Sequence, residues 1–288
     1  MRYWFCILIM ILIISGYAQE LLDAVAPVKE VSFSIYGPDE HISRSLKIRD
    51  LHILGKNKYR YSGNVKIDTL IYQAEFTKKL RHVLFYQNHY YFICQEYFAW
   101  KCEFDFYVAP NNQEKTPMQK LAVADIPIPI LQYQFPSENK NFLCYYEIGV
   151  LHSLLDHDIC KMISMFEYYI TESRVADIIA GNNLFQIVFL RILISNYIDK
   201  NKFSDSQKHK LFEIFKKILW LNKDMQYYSS SNIYWVAVAL MKLSPHCGNK
   251  TITAFLKYCN ENEGFHKGAE ERQRMLLKLK GLISHAKN

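Results

Sequence analysis

The chain has 288 residues, half of them hydrophobic, which is enough apolar surface for one or two domains with real cores. Its net charge is +7, with basic residues spread through the chain, and this spread indicates a solvated surface rather than a nucleic-acid-binding protein. Only 10 glycines are present, which argues against glycine-rich loops that bind phosphate groups. No nucleic-acid partner is therefore expected.

The N-terminal segment has the order of residues typical of a secretory signal peptide. Arg2 precedes an unbroken apolar run from Trp4 to Ile14, and Gly16-Tyr17-Ala18 supplies small residues before a cleavage point after Ala18. We predict that residues 1–18 are a signal peptide and that the protein is exported, either secreted or periplasmic. The alternative is a membrane anchor formed by an uncleaved N-terminal segment, although the run is shorter than the ~20 apolar residues that span a bilayer. No integral membrane span is expected after cleavage.

Residues 19–137 are predicted to form an antiparallel β domain, either a meander or a small sandwich. Apolar and polar residues alternate with a period of two in segments 31–35 and 65–71. The segments 80–86 and 90 onward flank Gln87-Asn88-His89, which is a plausible hairpin connection. Seven of the eight prolines lie at or before Pro136, close to the point where the alternation ends. The domain boundary is therefore placed at residue 137.

The alternation is unbroken over residues 92–108, which predicts one long extended strand. On such a strand Cys94 and Cys102 would lie ~26 Å apart, at ~3.3 Å per residue, whereas a disulfide needs Cα atoms within about 7 Å. We therefore predict that these two cysteines are not bonded to each other. The alternative is a three-residue hairpin loop at Tyr97-Phe98-Ala99, but these residues are poor turn formers.

Residues 138–288 are predicted to form an α-helical domain, either a bundle or an array of stacked helices. Apolar residues recur at helical spacing in several segments, which are 158–169, 184–198, 204–221, 233–243, 252–259 and 268–285. Ser204 followed three residues later by Gln207 predicts a capping box at the start of one helix. The predicted fold class is therefore α+β, with the antiparallel β domain first and the helical domain second.

The segment LHSLLDHDIC, residues 151–160, is the richest in chemically active side chains. His152, His157 and Cys160 are residue types that bind zinc, although their spacing matches no established zinc pattern. The simpler interpretation is that Asp156 or Asp158 caps a helix and that the histidines are solvated. The sequence contains no G-x-S-x-G, H-E-x-x-H, Walker A, G-x-G-x-x-G or C-x-x-C motif, and no cofactor is predicted.

Two functions are left open by these patterns. The first is an exported, non-catalytic binding protein whose protein or glycan partner sits at the junction of the two domains, because grooves at such junctions are favoured sites. The residues predicted to line it are Tyr145, Tyr146, His152 and Asp125. The alternative is an exported hydrolase or zinc metalloprotein whose site lies at the same junction, near residues 152–160.

Overall fold

The protein has a sheet unit that ends at Tyr133 and a helical unit that begins at Gln134. The computed structural model describes residues 31–36, 44–49, 61–67, 70–76, 78–98, 101–110, 117–133, 135, 140–170, 185–221, 223, 230–262 and 269–285. The predicted signal peptide, residues 1–18, lies outside the described residues. The predicted α+β class, with strands followed by helices, is confirmed.

Eight strands of the sheet unit form one sheet in the order β4-β3-β2-β1-β5-β6-β7-β8. The strands β1 to β4 make an antiparallel meander, whereas β1 and β5 pair in parallel. A two-residue turn with positive φ at Gln87 and Asn88 joins β5 to β6, which confirms the predicted hairpin. The strands are β1 (Val31–Tyr36), β2 (Arg44–Arg49), β3 (Tyr61–Ile67), β4 (Leu70–Phe76), β5 (Lys79–Tyr86), β6 (His89–Phe98), β7 (Lys101–Pro110) and β8 (Gln119–Leu121).

The two edges of this sheet are tied together. Gln73 of the edge strand β4 bridges to Pro117, two residues before the other edge strand β8, and its carbonyl accepts a hydrogen bond of 3.1 Å from the Met118 amide. The Tyr72 hydroxyl donates to the Pro110 carbonyl at 2.9 Å, which adds a second tie. These ties cover part of the edge strand β4, which reduces the strand edge open to pairing with another chain. The interior is packed with buried side chains, among them those of Tyr72, Phe76, Tyr90, Phe92, Cys94, Tyr107 and Ala109.

The predicted long strand over residues 92–108 is wrong, because β6 ends at Phe98 and β7 begins at Lys101, so that the segment is a hairpin. The two strands place opposite parities in the interior, since Phe92 and Cys94 of β6 share the core with Tyr107 of β7. The alternation continues across the turn because both faces of these strands are buried. Cys94 is a free thiol, so the predicted absence of a bond between it and Cys102 is confirmed, although not for the predicted reason.

The helical unit is organised around one buried helix, α5, which packs against α4, α6 and α7. The helix α6 also packs beside α4 and α7, so these three lie side by side over α5. No helix among the described residues is long and apolar enough to cross a membrane. The short α1 (Ile128–Leu131) closes the sheet unit, and the helical unit contains α2 (Lys140–Leu155), α3 (Ile159–Tyr169), two π-helical segments (Phe185–Leu190 and Leu193–Ile198), α4 (Asp205–Leu221), α5 (Ser230–Leu243), α6 (Pro245–Glu261) and α7 (Ala269–His285).

Replacing either of two glycines in the helical unit by alanine is expected to change the stability, in opposite directions. A Cβ added to Gly248 in α6 would lie 2.7 Å from the Leu240 carbonyl oxygen and 2.9 Å from the Met241 amide nitrogen of α5, whereas a Cβ on Gly281 in α7 would meet nothing within 4 Å. Gly248→Ala should therefore cost about 2 kcal/mol, because backbone atoms must shift. Gly281→Ala should add about 0.5–1 kcal/mol from helix propensity. Urea unfolding followed at 222 nm measures both, and a similar change in the two variants would contradict the close packing of α5 on α6.

Candidate functional site

The segment 151–160 spans the end of α2, a turn and the start of α3. The turn is fixed by the amides of His157 and Asp158, which both donate to the Leu154 carbonyl, at 3.1 and 2.8 Å. Asp158 is the N-cap of α3, because its carboxylate accepts a hydrogen bond of 2.9 Å from the Lys161 amide. The helix-capping interpretation is therefore confirmed for Asp158.

Asp156 has a different partner, on a distant part of the chain. The hydroxyl of Tyr197, at the end of the second π-helical segment, donates a hydrogen bond to the Asp156 carboxylate. Burial, followed by the hydrogen bond and charge of Asp156, raises the pKa of Tyr197 to about 12, so this hydroxyl stays protonated and acts as a donor. The Tyr197 ring is also covered by Lys202, whose Nζ lies 4.5 Å from the ring centroid.

A third segment, at the start of α4, contacts the start of α3. Ser204 and Gln207 form the predicted capping box, with hydrogen bonds of 2.9 Å from the Ser204 amide to Gln207 Oε1 and 3.3 Å from the Gln207 amide to Ser204 Oγ. The Gln207 side chain then donates to the Cys160 sulfur at 3.4 Å. We name Asp156, Cys160, Tyr197, Lys202 and Gln207 the turn cluster. Its side chains combine acceptors, donors and a cation on an accessible turn, where Asp156, Cys160 and Lys202 are exposed.

The residues predicted to bind zinc do not form a ligand set by themselves. His152 is half-buried on α2, His157 is exposed in the turn, and Cys160 is exposed at the start of α3. In the part of the chain that the structure describes, no three His, Cys, Asp or Glu side chains are grouped so that they could hold a metal ion. The Cys160 sulfur instead accepts the hydrogen bond from Gln207.

The four residues predicted to line a binding site lie in both units. Asp125 is exposed at the end of a 3₁₀ turn, Val123–Asp125, of the sheet unit. Tyr145, Tyr146 and His152 all lie on α2 of the helical unit, where Tyr145 and His152 are half-buried. Tyr146 is buried and packs edge-on against Phe135, with ring centroids 5.3 Å apart. Burial, and then the charge of Glu147, raises the pKa of Tyr146, which is consistent with an interior position.

A second polar group lies in the sheet unit, and we name it the charged cluster. The buried carboxylate of Asp105 on β7 lies 3.1 Å from Lys78 Nζ and 2.9 Å from Lys120 Nζ, and Lys78 is also 3.2 Å from Glu103. Burial opposes ionisation of Asp105, but the two lysines outweigh it and hold the pKa of this carboxyl below its ordinary value. Burial likewise opposes the charge on Lys78, but Asp105 and Glu103 hold its pKa above the ordinary value. Both groups therefore stay charged at neutral pH.

The shifted pKa values of the described residues share one direction, away from neutrality. Burial, followed by the charge of nearby Asp105, raises the pKa of Cys94 well above its ordinary value, and burial, followed by the charge of Arg81, lowers that of His82 to about 3. Lys78, Asp105 and Tyr197 are also moved away from neutrality. A general acid or base works best with a pKa near the operating pH. Among the described residues, no group with a shifted pKa has moved toward that range.

Sequence reasoning missed most of these residues for identifiable reasons. Tyr197 lies in an apolar segment, so the sequence predicts that it is a core residue. Its contact with Asp156 joins residues that are 41 positions apart in the sequence. Gln207 was predicted only as half of a capping box. The one local signal near Lys202 is the polar segment 199–202, in which Asn201 adopts a φ of 53°. Comparison of the chain with protein-family models, with curated proteins and with solved structures finds no match.

Proposed function

We propose that the protein is an exported, non-catalytic binding protein that holds a glycan at the turn cluster. The observation that carries the non-catalytic part is the pattern of pKa shifts, all of which move described groups away from neutrality. Enzymes that transfer protons often carry an acid or base whose pKa is shifted toward the operating pH. Export is supported by the N-terminal order of a basic residue, an apolar run and small residues.

A hydroxyl-rich ligand suits the turn cluster better than a protein does. Protein interfaces depend on large apolar or aromatic anchors at their centre. The large hydrophobic side chains exposed among the described residues are Ile71, Ile128 and Leu277, and none belongs to the turn cluster. What the cluster offers are a carboxylate, an amide and an ammonium group, which pair with the donors and acceptors of sugar hydroxyls.

The test is a binding screen of the purified protein against soluble oligosaccharides by titration calorimetry. Removing one charged hydrogen-bond partner costs about 1.5–3 kcal/mol, so Asp156→Asn and Lys202→Gln should each weaken binding about 10- to 100-fold. Asp205→Asn and Lys200→Gln are matched controls, because Asp205 and Lys200 are exposed neighbours outside the cluster. These controls should bind as the wild type does. Equal affinity in all five proteins would remove the turn cluster from the proposal.

The alternative function is an exported hydrolase or zinc metalloprotein that uses His152, His157 and Cys160. Elemental analysis of the purified protein and assays with chromogenic ester, peptide and glycoside substrates distinguish it from the binding protein. Stoichiometric zinc, together with turnover that is lost in His157→Gln, would contradict the non-catalytic proposal. Ordinary stability and unchanged glycan affinity in His157→Gln would support the proposal.

A further inference from the structure

Basic residues occur throughout the chain, but the net charge is uneven along it. Residues 185–288 contain 17 lysines and arginines against 8 acidic residues, a net charge of +9, whereas residues 1–184 contain 18 against 20, a net charge of −2. The positive charge of the protein is therefore carried by the π-helical segments and the four helices that follow. A positive net charge that is concentrated in one region creates a local electrostatic field that attracts anions, whereas a charge spread over the whole surface does not.

Four carboxylates of this region are paired with lysines in the structure. The pairs are Asp199–Lys242, Asp205–Lys208, Glu213–Lys216 and Glu261–Lys257. On α4, α6 and α7, five other exposed lysines make no ion pair with any described residue, and these are Lys210, Lys217, Lys250, Lys278 and Lys280. The surplus positive charge is therefore available to an external anion.

These five lysines lie on the three helices that pack side by side over α5. Lys210 and Lys217 are seven residues apart on α4, opposite the buried stripe that contains Leu211 and Phe215, and therefore ~10 Å apart along one face. Lys250 lies on the outer side of α6. On α7, Lys278 and Lys280 lie on either side of the outward-facing Leu277, because two residues turn a helix by about 200°. Neighbouring helix axes are about 8–10 Å apart. We name this layer of α4, α6 and α7 the basic face.

One exposed apolar side chain on the basic face favours an anionic membrane over other anionic partners. Leu277 is 61% exposed, and it lies on α7 next to Lys278 and three residues from Lys280. Trp220 and Tyr258, which pack together between α4 and α6 with ring centroids 5.9 Å apart, are half-buried. Lysines around apolar and aromatic side chains are typical of surfaces that lie on a membrane. A nucleic acid or an acidic polysaccharide would satisfy the lysines but offer no apolar phase to Leu277.

We propose that the basic face docks peripherally on an anionic lipid bilayer, with the five lysines against the headgroups and Leu277 at the headgroup–acyl boundary. This docking is independent of the turn cluster. Binding should weaken as salt rises, because the lysines are exposed and salt screens their charges. It should also require anionic lipid, because one exposed leucine contributes too little apolar area to hold the protein on a neutral surface.

The test is cosedimentation of the full chain with vesicles of phosphatidylcholine alone or with 30% phosphatidylglycerol. Each lysine near an anionic surface contributes about fivefold in affinity, so the variant Lys217→Gln/Lys250→Gln/Lys278→Gln should bind about 100-fold more weakly to the anionic vesicles. The corresponding triple Lys→Arg variant keeps the charge and should bind like the wild type. All variants share the N-terminal apolar run, so any insertion of that run is common to them. Equal binding by the Gln and Arg variants would overturn the proposal.

The variant Leu277→Ser distinguishes binding to a membrane from binding to a soluble polyanion. It should weaken binding to the anionic vesicles about tenfold while leaving binding to heparin or duplex DNA unchanged, because only the bilayer accepts an apolar side chain. If Leu277→Ser leaves vesicle binding unchanged, or if the wild type does not bind the anionic vesicles at 100 mM salt, the membrane is excluded as the partner of the basic face.

Discussion

Lowering the pH from 7 to 4.5 is expected to destabilise the sheet unit by about 3 kcal/mol through His82 alone. His82 is 5% exposed on β5, opposite Ile93 of β6, and a register irregularity separates it from Leu80. Burial, and then the neighbouring charge of Arg81, lowers its pKa from 6.5 to about 3. At pH 4.5 the imidazole is therefore neutral in the folded protein and protonated in the unfolded chain.

The sign of the effect follows from that difference in proton binding. The stability supplied by the neutral, buried His82 is fully present above pH 6.5 and is lost as the pH falls toward 3, at about 1.4 kcal/mol per pH unit. The carboxyl of Asp105, whose pKa lies below its ordinary value, stays ionised at pH 4.5 in the folded protein and in most of the unfolded chains. The interval from pH 7 to 4.5 therefore reports on the histidine more than on the charged cluster.

Urea unfolding followed by circular dichroism at both pH values measures this effect. The wild type should lose about 3 kcal/mol more between pH 7 and 4.5 than His82→Gln, whatever the stability of the variant at pH 7. His89→Gln is the control, because His89 is exposed at the start of β6 in the same hairpin, and it should behave like the wild type. Parallel losses in the wild type and His82→Gln would show that His82 is accessible to protons in the folded state.

The order of the secondary structure could be predicted because its signals are local. Alternation in β1 and β3 and helical periodicity in α3 and α4 depend on neighbours within one turn or one strand. The same is true of the N-cap Asp158 and of the capping box of Ser204 and Gln207, whose partners are three residues away. These strands, helices and caps are predictable because the residues that determine them are close together in the sequence.

The hairpin between β6 and β7 could not be predicted from local sequence patterns. Ile93 and Phe106 lie on one face of the two strands and Phe92 and Tyr107 on the other, and all four are buried. When both faces are buried, a change of parity between strands produces no break in the hydrophobic pattern. The tie between the sheet edges at Gln73 could not be predicted either, because it depends on a hydrogen bond between residues 45 positions apart in sequence.

The two polar clusters were missed because their members are distant in sequence. Asp156 meets Tyr197 across 41 residues, and Lys78 meets Asp105 across 27. Asp105 is a polar residue of the alternating segment 92–108, where alternation alone suggests an outward-facing side chain. In the structure, the change of strand between β6 and β7 places odd-numbered residues of β7 in the interior with Cys94.

The charged cluster leads to the largest stability change expected of a single substitution. Asp105→Ala should destabilise the sheet unit by about 3–5 kcal/mol, because it leaves the ammonium group of Lys78 nearly buried without its main partner. The Lys78 side chain is 11% exposed, and its remaining partner Glu103 is 34% exposed and 3.2 Å away. Hydrogen–deuterium exchange of peptides from β5 to β7, at pH 7 and constant temperature, measures the loss.

The control uses the other lysine of the same cluster. Lys120 lies 2.9 Å from the same carboxylate, but its side chain is 55% exposed, so Lys120→Gln should cost no more than about 1 kcal/mol. A loss in Lys120→Gln as large as that in Asp105→Ala would mean that both lysines are equally desolvated, which contradicts their different exposure.

A double substitution distinguishes the ion pair from the packing around it. If the cost of Asp105→Ala comes from an uncompensated charge on Lys78, then Asp105→Leu/Lys78→Met should recover most of it, because well-packed apolar residues often replace a buried ion pair without loss. If the double variant is as unstable as Asp105→Ala, the carboxylate has a further role in organising β7 and β8. Because Asp105 also lies beside the buried thiol of Cys94, exchange in β6 should then rise together with exchange in β7 and β8.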